Sequence, residues 1–347
     1  MAEKTKQNIL VIGPSWVGDM VMSQSLYIRL KQNNPENRIT VMAPSWTRPL
    51  LDRMPEVDAR LDFDLEHGEL KLAARRSLGK SLRDSHFTQA IVLPLSFKSA
   101  LVPFHANIKI RTGWRGEWRN VLLNDCRPPQ DENFPLMVQR FAALANPRAS
   151  LPPENISNPK LSIQQSDVNS SLSKFGLMKE LTILAISPGA EFGEAKQWPS
   201  EYYAELTNAV LQQGWQVWIF GSVNDALIAE SILADIDSNL LDRCKNLAGR
   251  TSLAEAIDLM SLASVVVSND SGLMHVAAAL DKPVVGIYGS TSPDFTPPLA
   301  DKIKLLATDI ECRPCFRRKC LFGHLRCLTE LKPALAIDAV RLLTESE

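Results

Sequence analysis

Short apolar runs alternate with longer, helix-length segments along nearly the whole chain. In the first half, residues 9–12, 39–43 and 90–93 have the length and β-branched content of buried strands. Residues 19–31, 70–83 and 96–104 carry helical patterns between and after them. The rhythm resumes later with strand-like runs at 182–187, 216–220, 264–268 and 284–287. Helical patterns near 200–213, 225–236, 252–262 and 272–280 fill the intervals. Runs that are apolar throughout, instead of alternating, predict an α/β protein with parallel sheets covered by helices on both faces. A last helical pattern, 333–343, is free to fold back on the first half.

The rhythm breaks at 146–166, NPRASLPPENISNPKLSIQQS, whose Pro, Asn and Ser content reads as a linker. The 347 residues also exceed one typical domain. Two Rossmann-like domains are therefore predicted, 1–160 and 161–347, with a cleft between two sheet ends. In such sheets ligands bind outside the carboxyl ends of the strands, so the loops after each strand are where chemistry is sought.

The most informative of these loops is SVVVSNDSGLMHVAAAL, residues 264–280. A β-branched run stops at Asp270-Ser271-Gly272 and becomes an apolar helix. Its first turn would present unpaired N–H groups and a partial positive charge to a phosphate. The plainer alternative is a turn in which Asp270 or Ser271 caps the helix. The loop after the first strand, IGPSWVGD, lacks the dinucleotide fingerprint GxGxxG. Its Gly18 permits close approach, and Asp19 is either a helix cap or a general base. The loop SPGAEFGEAKQWP places Lys196 before the next helix, as a phosphate partner or a solvated surface lysine. Ser222 and Asp225 follow one later strand and Leu247 to Gly249 the next, a set that could wall a nucleoside pocket.

Composition narrows the partners. Lys+Arg 38 against Asp+Glu 39 gives a net charge of -1, which offers no support for nucleic-acid binding. Neither an export leader nor a membrane-spanning run is expected, which predicts a cytoplasmic protein. One basic and aromatic cluster stands out: Lys98 with Arg111, Trp114, Arg115, Trp118 and Arg119 in RTGWRGEWRN. Arg suits carboxylates and phosphates, Trp suits sugar faces, and salt bridges in a packed loop are the alternative. Of six cysteines, Cys126 and Cys244 are isolated, while Cys312, Cys315, Cys320 and Cys327 cluster around His324. Four thiolates could make a tetrahedral zinc site. The spacing departs from paired CxxC knuckles, so reduced thiols packing a basic loop are the preferred reading.

Six stretches together resemble glycosyltransferase family 9: ILVIGPSWVGDMVMSQSL, VMAPSWTRPLLDRMPEVD, LPLSFKSALVPF, RTGWRGEWR, PGAEFGEAKQWP and NDSGLMHVAAAL. The likeness runs from about Ile9 to Pro298 and is strongest to the heptosyltransferases that add the second inner-core heptose. It implies a GT-B architecture, two Rossmann-like domains facing across a cleft. It implies an ADP-heptose donor held by the second domain, on Gly189, Ala190, Lys196, Ser222, Asp225, Leu247, Gly249, Asp270, Ser271, Gly272 and His275, with Gly18 contributed from the first. The implied acceptor is the first heptose of heptosyl-Kdo2-lipid A in the lipopolysaccharide core of a Gram-negative cell. Lys98, Arg111, Trp114, Arg115 and Arg119 would meet it, and the enzyme would work at the periphery of the inner membrane. The resemblance places the catalytic aspartate at Asp19 and the phosphate-binding lysine at Lys196. Asp225 stands where relatives often carry Glu. No DxD motif stands in the donor loops, so no catalytic metal or other cofactor is required. A nucleotide-sugar epimerase and a non-catalytic nucleotide-sugar-binding protein are the rival readings.

Overall fold

The computed structural model describes residues 6–63, 70–129, 133–148, 150 and 155–345. It divides into two compact units, Met1–Pro159 and Lys160–Glu347.

The first unit is built on six parallel strands, β1 (Asn8–Ile12), β2 (Arg38–Ala43), β3 (Ala59–Asp62), β4 (Gln89–Val92), β5 (Ile110–Trp114) and β6 (Asp125–Arg127). Their order is β3-β2-β1-β4-β5-β6, with Ile9 in register with both Ile39 and Gln89. The apolar runs expected at 9–12, 39–43 and 90–93 are the three central strands, buried along nearly their whole length. The outer strands escape the hydrophobic pattern because they are short and partly exposed. In β5 the basic and aromatic residues Arg111 to Trp114 lie in a strand, where a loop was expected. The helix Val17–Asn33 follows β1 as the pattern requires. The segment expected as one helix over 96–104 is a 3-10 turn, Phe97–Ala100, followed by Leu101–His105.

The second unit repeats the plan with β7 (Ile183–Ser187), β8 (Gln216–Ile219), β9 (Cys244–Asn246), β10 (Val265–Asn269), β11 (Val284–Tyr288) and β12 (Ile303–Ala307), all parallel. Their order is β12-β11-β10-β7-β8-β9. Leu184, Ile186, Val265, Val267, Val285 and Ile287 turn one sheet face into a continuous core. The last helix, Pro333–Thr344, buries Ala336, Ala339, Val340 and Leu343 in that same core. Its apolar face thus belongs to the core of the second unit. Part of the linker is also structured. The Leu161 amide donates to the Ala279 carbonyl at 2.8 Å. A helix, Gln165–Phe175, then closes on Gly176 at φ 58°. That left-handed conformation suits a residue without Cβ.

Candidate active site

In each sheet the chain reverses its direction of winding at one point. In the second unit that point lies between β7 and β10, which pair side by side while β8 and β11 lead away. The loop after β7 and the turn after β10 therefore meet at the carboxyl end of the sheet. An ion pair joins them: Lys196 Nζ lies 2.6 Å from Asp270 Oδ2, with both side chains largely buried. Thr291, in the loop after β11, donates its hydroxyl to the same carboxylate oxygen at 2.6 Å. Lys196 Nζ also lies 4.8 Å from the centre of the Phe192 ring, a cation–π contact. Asn269 fastens the two loops, donating to the Pro188 carbonyl at 2.5 Å and accepting from the Trp198 amide and the Tyr203 hydroxyl.

The helix Gly272–Ala279 starts directly beside this cluster. Ser271 holds the N-cap position but makes no side-chain cap, and its hydroxyl lies 3.2 Å from that of Ser268. The simple capped turn is therefore not what forms. Asp270 is engaged by Lys196 and Thr291, and among the described residues no side-chain cap closes the first turn. Such a helix end favours an anion. His275, one turn on, is buried, and burial pushes its pKa down to about 4, with Lys196 adding to the effect and Asp270 opposing it.

The neighbouring loops are stitched to the same sheet end. Asp225 Oδ2 accepts from the Ser222 amide at 2.7 Å and the Ser222 hydroxyl at 2.8 Å. A Cβ on Gly189 would fall 2.1 Å from Asp225 Oδ1, so the glycine leaves room for that carboxylate in its present position. The Gly249 amide donates to the Gly221 carbonyl at 3.0 Å, and Gly249 itself has φ 70°. Leu247 and Ala190 are buried. The second-unit residues expected around a nucleotide are thus gathered at the ends of β7, β8, β9 and β10.

In the first unit the reversal lies between β1 and β4. Asp19 is the third residue of the helix that follows β1, and Gly18 the second. Trp16, not Asp19, occupies the N-cap position. The carboxylate is therefore in the first turn of the helix and is not its cap.

The basic and aromatic cluster separates into two groups. Arg119 is fully buried; its guanidinium donates to the Pro94 carbonyl and, at 2.9 Å, to the Val92 carbonyl. Burial pulls its pKa down to about 10. Arg111 donates to the carbonyls of Leu122 and Ile108, both at 2.6 Å. The Trp114 indole donates to the Arg140 carbonyl at 3.0 Å and packs against Phe134. Arg119 and Trp114 hold the chain at the carboxyl ends of β4 and β5. Arg111, the second residue of β5, instead ties together the segments that enter β5 and β6 at the opposite end of the sheet, away from the loops where an acceptor contact was expected. Lys98 is half-buried, while Arg115 and Trp118 are exposed.

All four clustered cysteines line one cavity of about 40 Å³, with His324, yet all are free thiols. Among the described residues no group of three or more His, Cys, Asp or Glu is arranged to hold a metal ion. The same segment has a task that the sequence did not reveal. The Arg313 guanidinium donates to the carbonyls of Gly289 and Thr291, both at 2.9 Å, and of Thr308 at 3.3 Å. It shapes the loop that presents Thr291 to Asp270.

A profile described as "Glycosyltransferase family 9 (heptosyltransferase)" matches residues 75–326. The chain belongs to glycosyltransferase family 9. Among its relatives, Lipopolysaccharide heptosyltransferase 2 of Salmonella typhimurium is 45% identical over 98% of this chain and 99% of its own. Lipooligosaccharide heptosyltransferase 2 of Haemophilus influenzae is 47% identical over 86% of this chain and 88% of its own. The solved structure of ADP-heptose lps heptosyltransferase II from E. coli superposes with a TM-score of 0.89 at 43% identity, covering 97% of this chain and 98% of the other. The α/β architecture expected from the sequence, GT-B, is the one found.

Buried His275 gives this glycosyltransferase a pH-dependent stability. Its folded pKa of about 4 lies below that of a free histidine, so the unfolded chain takes up a proton that the folded chain refuses. The stabilising effect is complete above about pH 6.5 and is lost as the pH falls toward 4. Between pH 7 and pH 5 this residue alone should remove about 2 kcal/mol. Urea unfolding at the two pH values should show that difference, and His275→Gln should flatten it. An unchanged slope in the variant would refute the assignment.

Proposed function

We propose that this glycosyltransferase moves a heptose from ADP-heptose to the first heptose of the lipopolysaccharide inner core, on heptosyl-Kdo2-lipid A, with inversion at the anomeric carbon. The observation that carries the proposal is the cluster of Lys196, Asp270 and Thr291 beside an uncapped helix end. A diphosphate needs that combination of cation and free amides. The names of the relatives supply the sugar.

In this reading Asp19 accepts the proton of the acceptor hydroxyl. The acceptor oxygen attacks the anomeric carbon while the bond to the diphosphate oxygen breaks. ADP leaves with its growing negative charge met by Lys196 and the amides at Gly272. Ser222, Asp225, Leu247 and Gly249 hold the nucleoside. Lys98 and Arg115 meet the anionic acceptor, while Trp114 and Arg119 shape the loops at that sheet end from inside. No cofactor takes part. Among the described residues no helix is long and apolar enough to cross a membrane. The enzyme works in the cytoplasm and approaches its lipid-linked acceptor from the inner face of the cytoplasmic membrane.

The test is incubation of the full chain with ADP-heptose and heptosyl-Kdo2-lipid A, followed by mass spectrometry of the lipid. A mass gain of one heptose is expected, with ADP released in equal amount. Release of an epimerised or free sugar with no change in the lipid would instead favour the epimerase reading.

A further inference from the structure

Residues 312–327 hold five basic side chains, Arg313, Arg317, Arg318, Lys319 and Arg326, and no acidic one, in a chain whose net charge is -1. Arg313 is turned inward onto backbone carbonyls, as described. Arg317, Arg318 and Lys319 are exposed. Large apolar side chains stand out among them: Phe316 is 55% exposed, Leu321 72% and Phe322 70%. A soluble loop gains nothing from leaving three such side chains in water, and cations interleaved with them point to one kind of surface. Apolar groups that enter an interface while Lys and Arg meet phosphates are the signature of contact with an anionic bilayer.

The segment is braced where it leaves the domain. The amides of Cys315 and Phe316 both donate to the Ser290 carbonyl, at 3.0 and 2.8 Å. The Arg318 carbonyl accepts from the Ala195 amide at 3.2 Å. A Cβ on Gly193 would come within 2.5 Å of that same carbonyl, so the two loops touch at backbone distance. The exposed tip is thus mounted on residues 193–195 and 289–291, the loops that carry Lys196 and Thr291.

We propose that the tip formed by Phe316, Arg317, Lys319, Leu321 and Phe322 docks on the surface of an anionic phospholipid bilayer. The choice of occupant rests on the proposed lipid-linked acceptor, while the site itself rests on exposure and charge. Docking there would hold the donor loops next to the surface in which that acceptor is embedded.

The test is flotation of the full chain with vesicles free of lipopolysaccharide, made either of phosphatidylglycerol and phosphatidylcholine or of phosphatidylcholine alone. The chain should float with the anionic vesicles, less so in high salt, and not with the neutral ones. Removing each basic residue at such a surface lowers binding about fivefold, so Arg317→Gln with Lys319→Gln should lower it about 25-fold. Phe316→Ser with Leu321→Ser and Phe322→Ser should lower it at least about tenfold. Both variants should retain transfer to a delipidated acceptor, which shows that they fold. Equal flotation with both vesicle types, flotation with neither, or variants that float like the original chain would each overturn the proposal. A surface made for a protein partner would give the second of these results. Because the vesicles carry neither donor nor acceptor, flotation stands or falls separately from the transfer reaction.

Discussion

Asp19→Asn should reduce heptose transfer by about 10²–10⁴, the range for loss of a positioned general base. The amide has the same shape and cannot take the proton of the attacking hydroxyl. Donor affinity should change little, because the loops proposed to hold the nucleotide belong to the second unit. Stability should change little as well. An acidic residue in the first turn of a helix is worth about 0.3–1 kcal/mol, far too little to unfold a domain. Transfer rate, ADP binding by calorimetry and thermal unfolding separate these effects. A variant that turns over within threefold of the original enzyme would remove Asp19 from the mechanism.

Much of the fold was legible because buried parallel strands leave a strong mark. The central strands of both sheets are runs of apolar residues bounded by Gly, Pro, Ser or Asp, and each was found within a residue or two of its expected bounds. The edges were not legible. The strand Ala59–Asp62 alternates between half-buried and exposed positions, and Ile303–Ala307 is exposed at two of its central residues. Three residues of Asp125–Arg127 are too few for any period. The helix Gln165–Phe175 was hidden by its composition, since Gln, Ser and Asn are poor helix signals and its apolar stripe is thin.

At the candidate site, sequence proximity and spatial proximity part company. Asp270 and Lys196 were each visible as residues at a strand-to-helix junction, because such junctions collect at one end of a parallel sheet. Their pairing across 74 positions was not visible, and neither was Thr291, whose loop has no distinguishing motif. Arg313 belongs to a segment that the sequence marks only as basic, yet it is spent on three carbonyls inside the fold. The same holds for Arg119. A guanidinium offers five donors, and backbone carbonyls at strand ends need them, so arginine serves structure and recognition with the same atoms. Charge alone does not say which, and burial does.

The ion pair at the donor site makes the second large effect separable from simple destabilisation. Lys196→Met should lower transfer by about 10²–10³, because the proposed mechanism relies on this cation to meet the leaving diphosphate. It should also cost stability, on the order of 3 kcal/mol, since Asp270 would remain as a buried carboxylate that has lost its cation and keeps the Thr291 hydroxyl. Pairing the change with Asp270→Asn removes the stranded charge. Asparagine can still accept from Thr291, so the double variant should regain most of the lost stability while transfer stays low. ADP affinity should be weak in both variants and less sensitive to salt than in the original enzyme, as expected when a point charge at a phosphate is lost. The decisive comparison is the rate of the double variant. If transfer returns along with stability, Lys196 merely neutralises Asp270. If it does not, the lysine acts on the diphosphate itself, and Asp270 serves to hold it in place.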